Sequence, residues 1–152
     1  MDDPRDTTGP GPGGGTPQAG RPAGGTYEWL SRGRELLAAG DAQAAATVLR
    51  HAHEDEPGSP DVLETLARAE FESGRFEEAR RLFAALVERE PDSDYARFGL
   101  GASLVRLARA REAEPHLALA AAMRPDRSEY VGLLQRARAS LGRDRPDAGR
   151  PT

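Results

Sequence analysis

Cysteine and lysine are both absent from the 152 residues, so all 21 basic side chains are arginines. The first absence excludes disulfides, thiolate metal ligands and cysteine nucleophiles, and the second removes lysine chemistry. Aromatic residues are scarce at 5%, with a single tryptophan. No stretch approaches the ~18 consecutive apolar residues of a membrane span. The start, Met1-Asp2-Asp3-Pro4, is acidic and no apolar run follows it, which is unlike a sorting signal and sets the cytoplasm as the expected location. A lysine-free chain rich in Ala, Gly, Arg and Pro also points to a bacterial genome of high GC content.

Catalytic signatures are missing too. There is no G-x-x-x-x-G-K-[ST] and no G-x-S-x-G. Gly9, Gly11 and Gly14 satisfy G-x-G-x-x-G by letter only, because a Pro/Gly-rich context supplies neither the strand nor the helix that a dinucleotide fingerprint needs. His51 and His53 stand before Glu54, Asp55 and Glu56, but residues two apart on a helix point about 200° from each other, so these imidazoles cannot share one ion. Paired carboxylates such as Glu77 and Glu78 fall on charged helix surfaces. The expectation is a non-enzyme with no cofactor and no metal.

What the chain does contain is a period. Pro57, Pro91 and Pro125 stand 34 residues apart, and at the same step run Gly33, Ala67, Gly101; Gly40, Gly74, Ala108; Ala45, Ala79, Ala113; Leu49, Phe83, Leu117; and Ala52, Leu86, Ala120. Small residues at helix crossings with bulky ones opposite allow two helices per unit to interdigitate. Gly40 and Gly74 close the first helix of a unit, and the prolines stop the second. A period of 34 with these columns resembles the tetratricopeptide repeat, a helix-turn-helix unit that stacks into a superhelix. The resemblance implies an all-α, right-handed α-solenoid of three repeats, 26–59, 60–93 and 94–127, closed by a capping helix at 127–141 that lays Val131, Leu134, Ala137 and Leu141 on the third repeat.

The folded unit is expected over 26–142. Residues 1–25, with eight glycines and five prolines, read as a disordered arm, and 143–152 as a disordered tail. Five positions depart from the pattern, and the first of them is Arg32, which stands where a leucine is usual. Arg97 replaces a bulky residue, Glu70 a large apolar or aromatic one, and Ala108 the turn glycine, while Pro115 inside the third repeat's second helix predicts a late start or mild kink.

In this family the first helix of each unit lines a concave groove. The carried-over positions give Tyr27, Leu30 and Arg34 in the first repeat, Glu64, Arg68 and Phe71 in the second, and Tyr95, Phe98 and Arg106 in the third, with Arg136 added by the cap. Phe71 and Phe98 fit interhelix core equally well. A clamp of Lys, Asn and Arg for C-terminal carboxylates, known in one subfamily, is lacking: Leu30, Arg34, Thr65, Tyr95 and Gly99 stand there instead. The implied function is a protein-binding scaffold that takes a peptide or helix of a partner, one with apolar anchors and some acidic residues, as a monomer or weak homo-oligomer. Two other readings are a self-assembling structural protein, suggested by acidic excess in 26–93 and arginine excess in 94–152, and an RNA-binding repeat. The pI of about 5.4 and the acidic second repeat weigh against nucleic acid.

Overall fold

A computed structural model describes residues 24–144, so the expected arm and tail lie almost entirely outside the described residues. Seven helices follow one another: α1 (Thr26–Ala38), α2 (Ala42–Asp55), α3 (Pro60–Glu72), α4 (Phe76–Arg89), α5 (Asp94–Arg106), α6 (Ala110–Met123) and α7 (Ser128–Arg143). No strand occurs among the described residues. The helix starts repeat at the sequence period: 26, 60, 94 and 128 for the odd helices, and 42, 76 and 110 for the even ones.

Local chemistry sets these boundaries. Ser59 and Ser93 cap α3 and α5 by accepting from the amides of Val62 and Ala96, and Asp41 caps α2 by accepting from Ala44. Within each repeat the chain reverses through one left-handed residue, Gly40 and Gly74 at φ +83° and Ala108 at φ +60°. The amides of Asp41, Arg75 and Arg109 then reach back to the carbonyls of Leu36, Glu70 and Leu104 at 2.9, 2.8 and 2.8 Å, closing the same turn three times. Alanine at 108 therefore did not alter the turn. Pro115 lies inside an unbroken α6 that starts at Ala110, in register with Ala42 and Phe76, so the late start expected of that proline does not occur.

Each helix packs on its chain neighbours, and the odd helices also touch one another, α1 on α3, α3 on α5 and α5 on α7, whereas α2, α4 and α6 do not. Such a layering curves the stack, with the odd helices on the inside of the bend. The inter-helix core is the set of columns read from the period: Ala45, Ala79 and Ala113, with Leu49 and Leu117, are fully buried, and Phe83 nearly so. A Cβ on Gly33 would stand 2.4 Å from Leu49 Cγ, and one on Gly101 2.5 Å from Leu117 Cδ2, so these crossings need the missing side chain. Gly99 makes the same room for the Phe83 ring. The cap α7 buries Tyr130, Leu134 and Ala137. No helix among the described residues is long and apolar enough to cross a membrane.

Candidate functional site

Curvature leaves a groove on the odd-helix side. A cavity there, of about 890 Å³, is lined by α3, α5 and α7 with contributions from Phe83 of α4, the α5–α6 turn and the first turn of α6. Arg68, Phe71, Tyr95, Phe98 and Arg106 line it, five of the nine positions carried over from the repeat pattern. Ala102, Val105, Leu133, Ala137 and Leu141 add apolar lining, and Arg109, Arg111 and Arg136 line it too.

The other four positions lie elsewhere. Leu30 is 8% exposed and belongs to the core, because Trp29 and Leu30 together turn the start of α1 onto the neighbouring helices. Tyr27 is 77% exposed in the first turn of α1 and does not line the cavity. Arg34 and Glu64 are exposed on α1 and α3 outside the cavity, and Arg34 Nη2 lies 3.9 Å from Asp61 Oδ1. Burial, followed by the charges of Glu90 and Asp61, raises the Glu64 carboxyl above its usual range.

Aromatic contacts hold the lining in place. Phe71 meets Phe76 edge-on at 5.2 Å, Phe83 meets Tyr95 edge-on at 5.9 Å, and Phe98 stacks on Tyr130 of the cap at 4.4 Å with 19° between planes. Phe71 and Phe98 thus serve the interhelix packing on one side and line the cavity on the other. Burial raises the Tyr95 hydroxyl pKa, which keeps it a neutral donor at the groove wall.

The arginines differ in what occupies them. Arg68 Nε donates to Glu72 Oε1 at 2.8 Å, and this hydrogen bond is the main reason its pKa is raised. Arg109 makes two hydrogen bonds to Glu112, at 2.8 and 2.7 Å. Arg106 instead lays its guanidinium 4.4 Å above the Phe76 ring. Arg109, Arg111 and Leu133 were not singled out as groove residues from the sequence. Leu133 could have been, since it stands one period after Gly99; Arg109 and Arg111 enter from the turn and α6, which the inner-helix positions do not include.

The histidines assemble no ligand set. His51 packs against the Trp29 ring at 5.8 Å, and among the described residues no three His, Cys, Asp or Glu are grouped to hold a metal ion.

Comparison with known proteins agrees with this architecture. A family model described as the tetratricopeptide repeat matches residues 36–98 and 72–137. No curated protein matches the sequence significantly. Among solved structures, MamA from Desulfovibrio magneticus RS-1 is similar with a TM-score of 0.71 and 20% identity, over 78% of this chain and 67% of that one. The first such domain of human RPAP3 gives 0.70 and 18%, over 78% and 93%. The first repeat domain of Spaghetti (RPAP3), bound to the HSP90 peptide SRMEEVD, gives 0.72 and 18%, over 77% and 93%.

Proposed function

Because the chain belongs to the tetratricopeptide repeat family, we propose that it is a non-catalytic interaction module that holds a peptide or helix of a partner protein in the groove between α3, α5 and α7. The observation that carries this reading is the 890 Å³ cavity itself, lined by aromatic and aliphatic side chains together with arginines. Binding clefts commonly hold about 300–1,000 Å³, so this one has room for several side chains and not merely an ion. Tyr, Phe and Arg are also the residue types that most often anchor interfaces.

The HSP90 peptide bound by the Spaghetti (RPAP3) domain shows what this fold can accommodate. The present chain would use a different mode. At the places of the carboxylate clamp, Leu30, Thr65 and Gly99 are buried, and Arg34 faces Asp61. An HSP90-type tail is therefore not the occupant we favour.

A photo-crosslinking amino acid at Val105, inside the groove, and another at the exposed Leu119 on α6 would test the reading in extracts of the native cells. The expected result is a crosslinked protein from Val105 and none from Leu119. Adducts of the chain with itself from either position would assign it to self-assembly, and equal yields from both positions would remove the groove from its function.

A further inference from the structure

The groove is basic on a protein that is not. The chain carries a net charge of −4, yet the cavity is lined by five arginines against Glu72, Glu112 and Asp144. Two of those arginines are committed, Arg68 to Glu72 and Arg109 to Glu112. Arg106, Arg111 and Arg136 make no salt bridge among the described residues, although on the outer surface Arg80, Arg124 and Arg138 pair with Glu77, Asp126 and Glu114. Three arginines without a salt bridge among the described residues thus line one largely apolar cavity.

We propose that the occupant is an acidic protein segment bearing large apolar side chains, and that Arg106, Arg111 and Arg136 select it. The proposal rests on the reading that the groove binds a partner protein. Apolar side chains of the segment fill the cavity between Phe98, Val105 and Leu133, and carboxylates meet the three arginines. The Arg106 guanidinium lies over the Phe76 ring and makes no salt bridge among the described residues, so its N–H groups are open to a two-point contact with a carboxylate. The concave side also has a polarity. Asp61 and Glu64 are exposed toward its N-terminal half, so the acidic part of the segment lies over α5 and α7 and its less acidic part runs toward α1. That same polarity argues against a nucleic acid, whose evenly spaced phosphates require positive potential along the whole track.

The capping helix is then part of the recognition surface. Arg136 sits on it in the column of Arg34 and Arg68, one period after Ala102. A cap serving only to cover the third repeat would not need a cation on the groove side.

The test uses the full 152-residue chain and a displayed library of random dodecapeptides. Because the chain has no cysteine, Ser140→Cys coupled to a fluorescein maleimide blocks the groove at one defined place and identifies groove-dependent binders. The expected binders combine Asp or Glu with aromatic or aliphatic residues, and Arg111→Gln with Arg136→Gln weakens them about tenfold or more, with an unchanged thermal melt. Groove-dependent binders that are neutral or basic, or that ignore the arginine changes, would overturn the acidic assignment and leave the interaction module standing. If no binder depends on the groove, both readings fall. Displacement of the peptides by a single-stranded oligouridylate at physiological salt would give the site to nucleic acid and overturn the proposal.

Discussion

Arg50 reaches from α2 to the buried carboxylate of Glu70, which a second arginine, Arg75, also approaches. The Glu70 side chain on α3 is 3% exposed, and Arg50 donates to its Oε1 from Nε at 2.8 Å, with Nη2 2.7 Å away. Arg75 Nε stands 2.9 Å from Oε2 but off the direction of a hydrogen bond. The two arginines are 39% and 54% exposed, so burial is one-sided. That asymmetry makes a prediction.

Replacing Glu70 releases two arginines into water, whereas replacing Arg50 leaves a buried carboxylate with one misaligned partner. Glu70→Leu, which restores the apolar residue usual at this place, is expected to leave stability within about 1 kcal/mol of the natural chain or to raise it. Arg50→Met is expected to cost about 1–3 kcal/mol. Urea unfolding of both variants checks the order; a larger loss for Glu70→Leu would show that the pair is a net stabiliser in its own right.

Ala108 holds the left-handed turn conformation at φ +60° that Gly40 and Gly74 hold without a Cβ. An L-residue there costs about 1–2 kcal/mol, partly offset because glycine loses more freedom on folding. Ala108→Gly should therefore stabilise by about 0.5–1 kcal/mol. Gly74→Ala should destabilise by a similar amount, and since a Cβ there would meet nothing within 4 Å, the backbone alone is responsible. Thermal melts that move the same way in both variants would refute the account.

These two positions also show what was legible in the sequence. The turn residues and prolines are local, and a period of 34 fixes their phase, so the helix order and the small and large columns followed from sequence alone. The cap was read less well. Of the expected stripe Val131, Leu134, Ala137 and Leu141, Leu134 and Ala137 are buried and the other two half-buried, but Tyr130, as deeply buried as Ala137 at 1% exposed, lay outside it. Its hydroxyl concealed it, and only Asp94, 36 residues earlier in sequence, gives that hydroxyl a partner. The groove was half legible for a related reason. Inner-helix positions name which residues can face the cavity, but which arginines are already neutralised depends on reach between side chains, as with Arg68 and Glu72.

Tyr130 donates to Asp94 Oδ2 at 2.8 Å while its ring stacks on Phe98, tying α7 to α5 by two different contacts. Burial first, and the bond to Asp94 second, push its hydroxyl pKa well above the ordinary tyrosine value. A pKa raised in the folded state contributes stability that is fully present below the unfolded value of about 10 and is lost as pH rises beyond it. Tyr130→Phe is expected to cost about 1 kcal/mol at pH 7, because the half-buried Asp94 can rehydrate, and to flatten the fall in stability between pH 9.5 and 11.5. An unchanged alkaline slope would mean that the ionisation of Tyr130 is not coupled to unfolding.

Arg97 takes the column of Trp29 and Leu63, where the first two repeats place bulky apolar side chains. It is half-buried on α5, and its Nε is buried with no hydrogen-bond partner. Across on α6, His116 feels the consequence: burial first and the Arg97 charge second hold its pKa below the usual value. The sign follows directly. A histidine whose folded pKa is depressed contributes stability that is present above its unfolded pKa of about 6.5 and is lost as pH falls through the folded value. Arg97→Leu removes both the unsatisfied nitrogen and the like charge, so stability at pH 7.5 should rise by about 1 kcal/mol and the His116 pKa should move up toward 6.5, stopping short of it because burial remains. The histidine proton resonance, followed by NMR, gives the pKa, and melts at pH 7.5 and 5 give the linked stability. With the carboxylates common to both chains, the difference between them isolates this pair: the natural protein should lose more stability on acidification than Arg97→Leu, and equal losses would place the depression in burial alone.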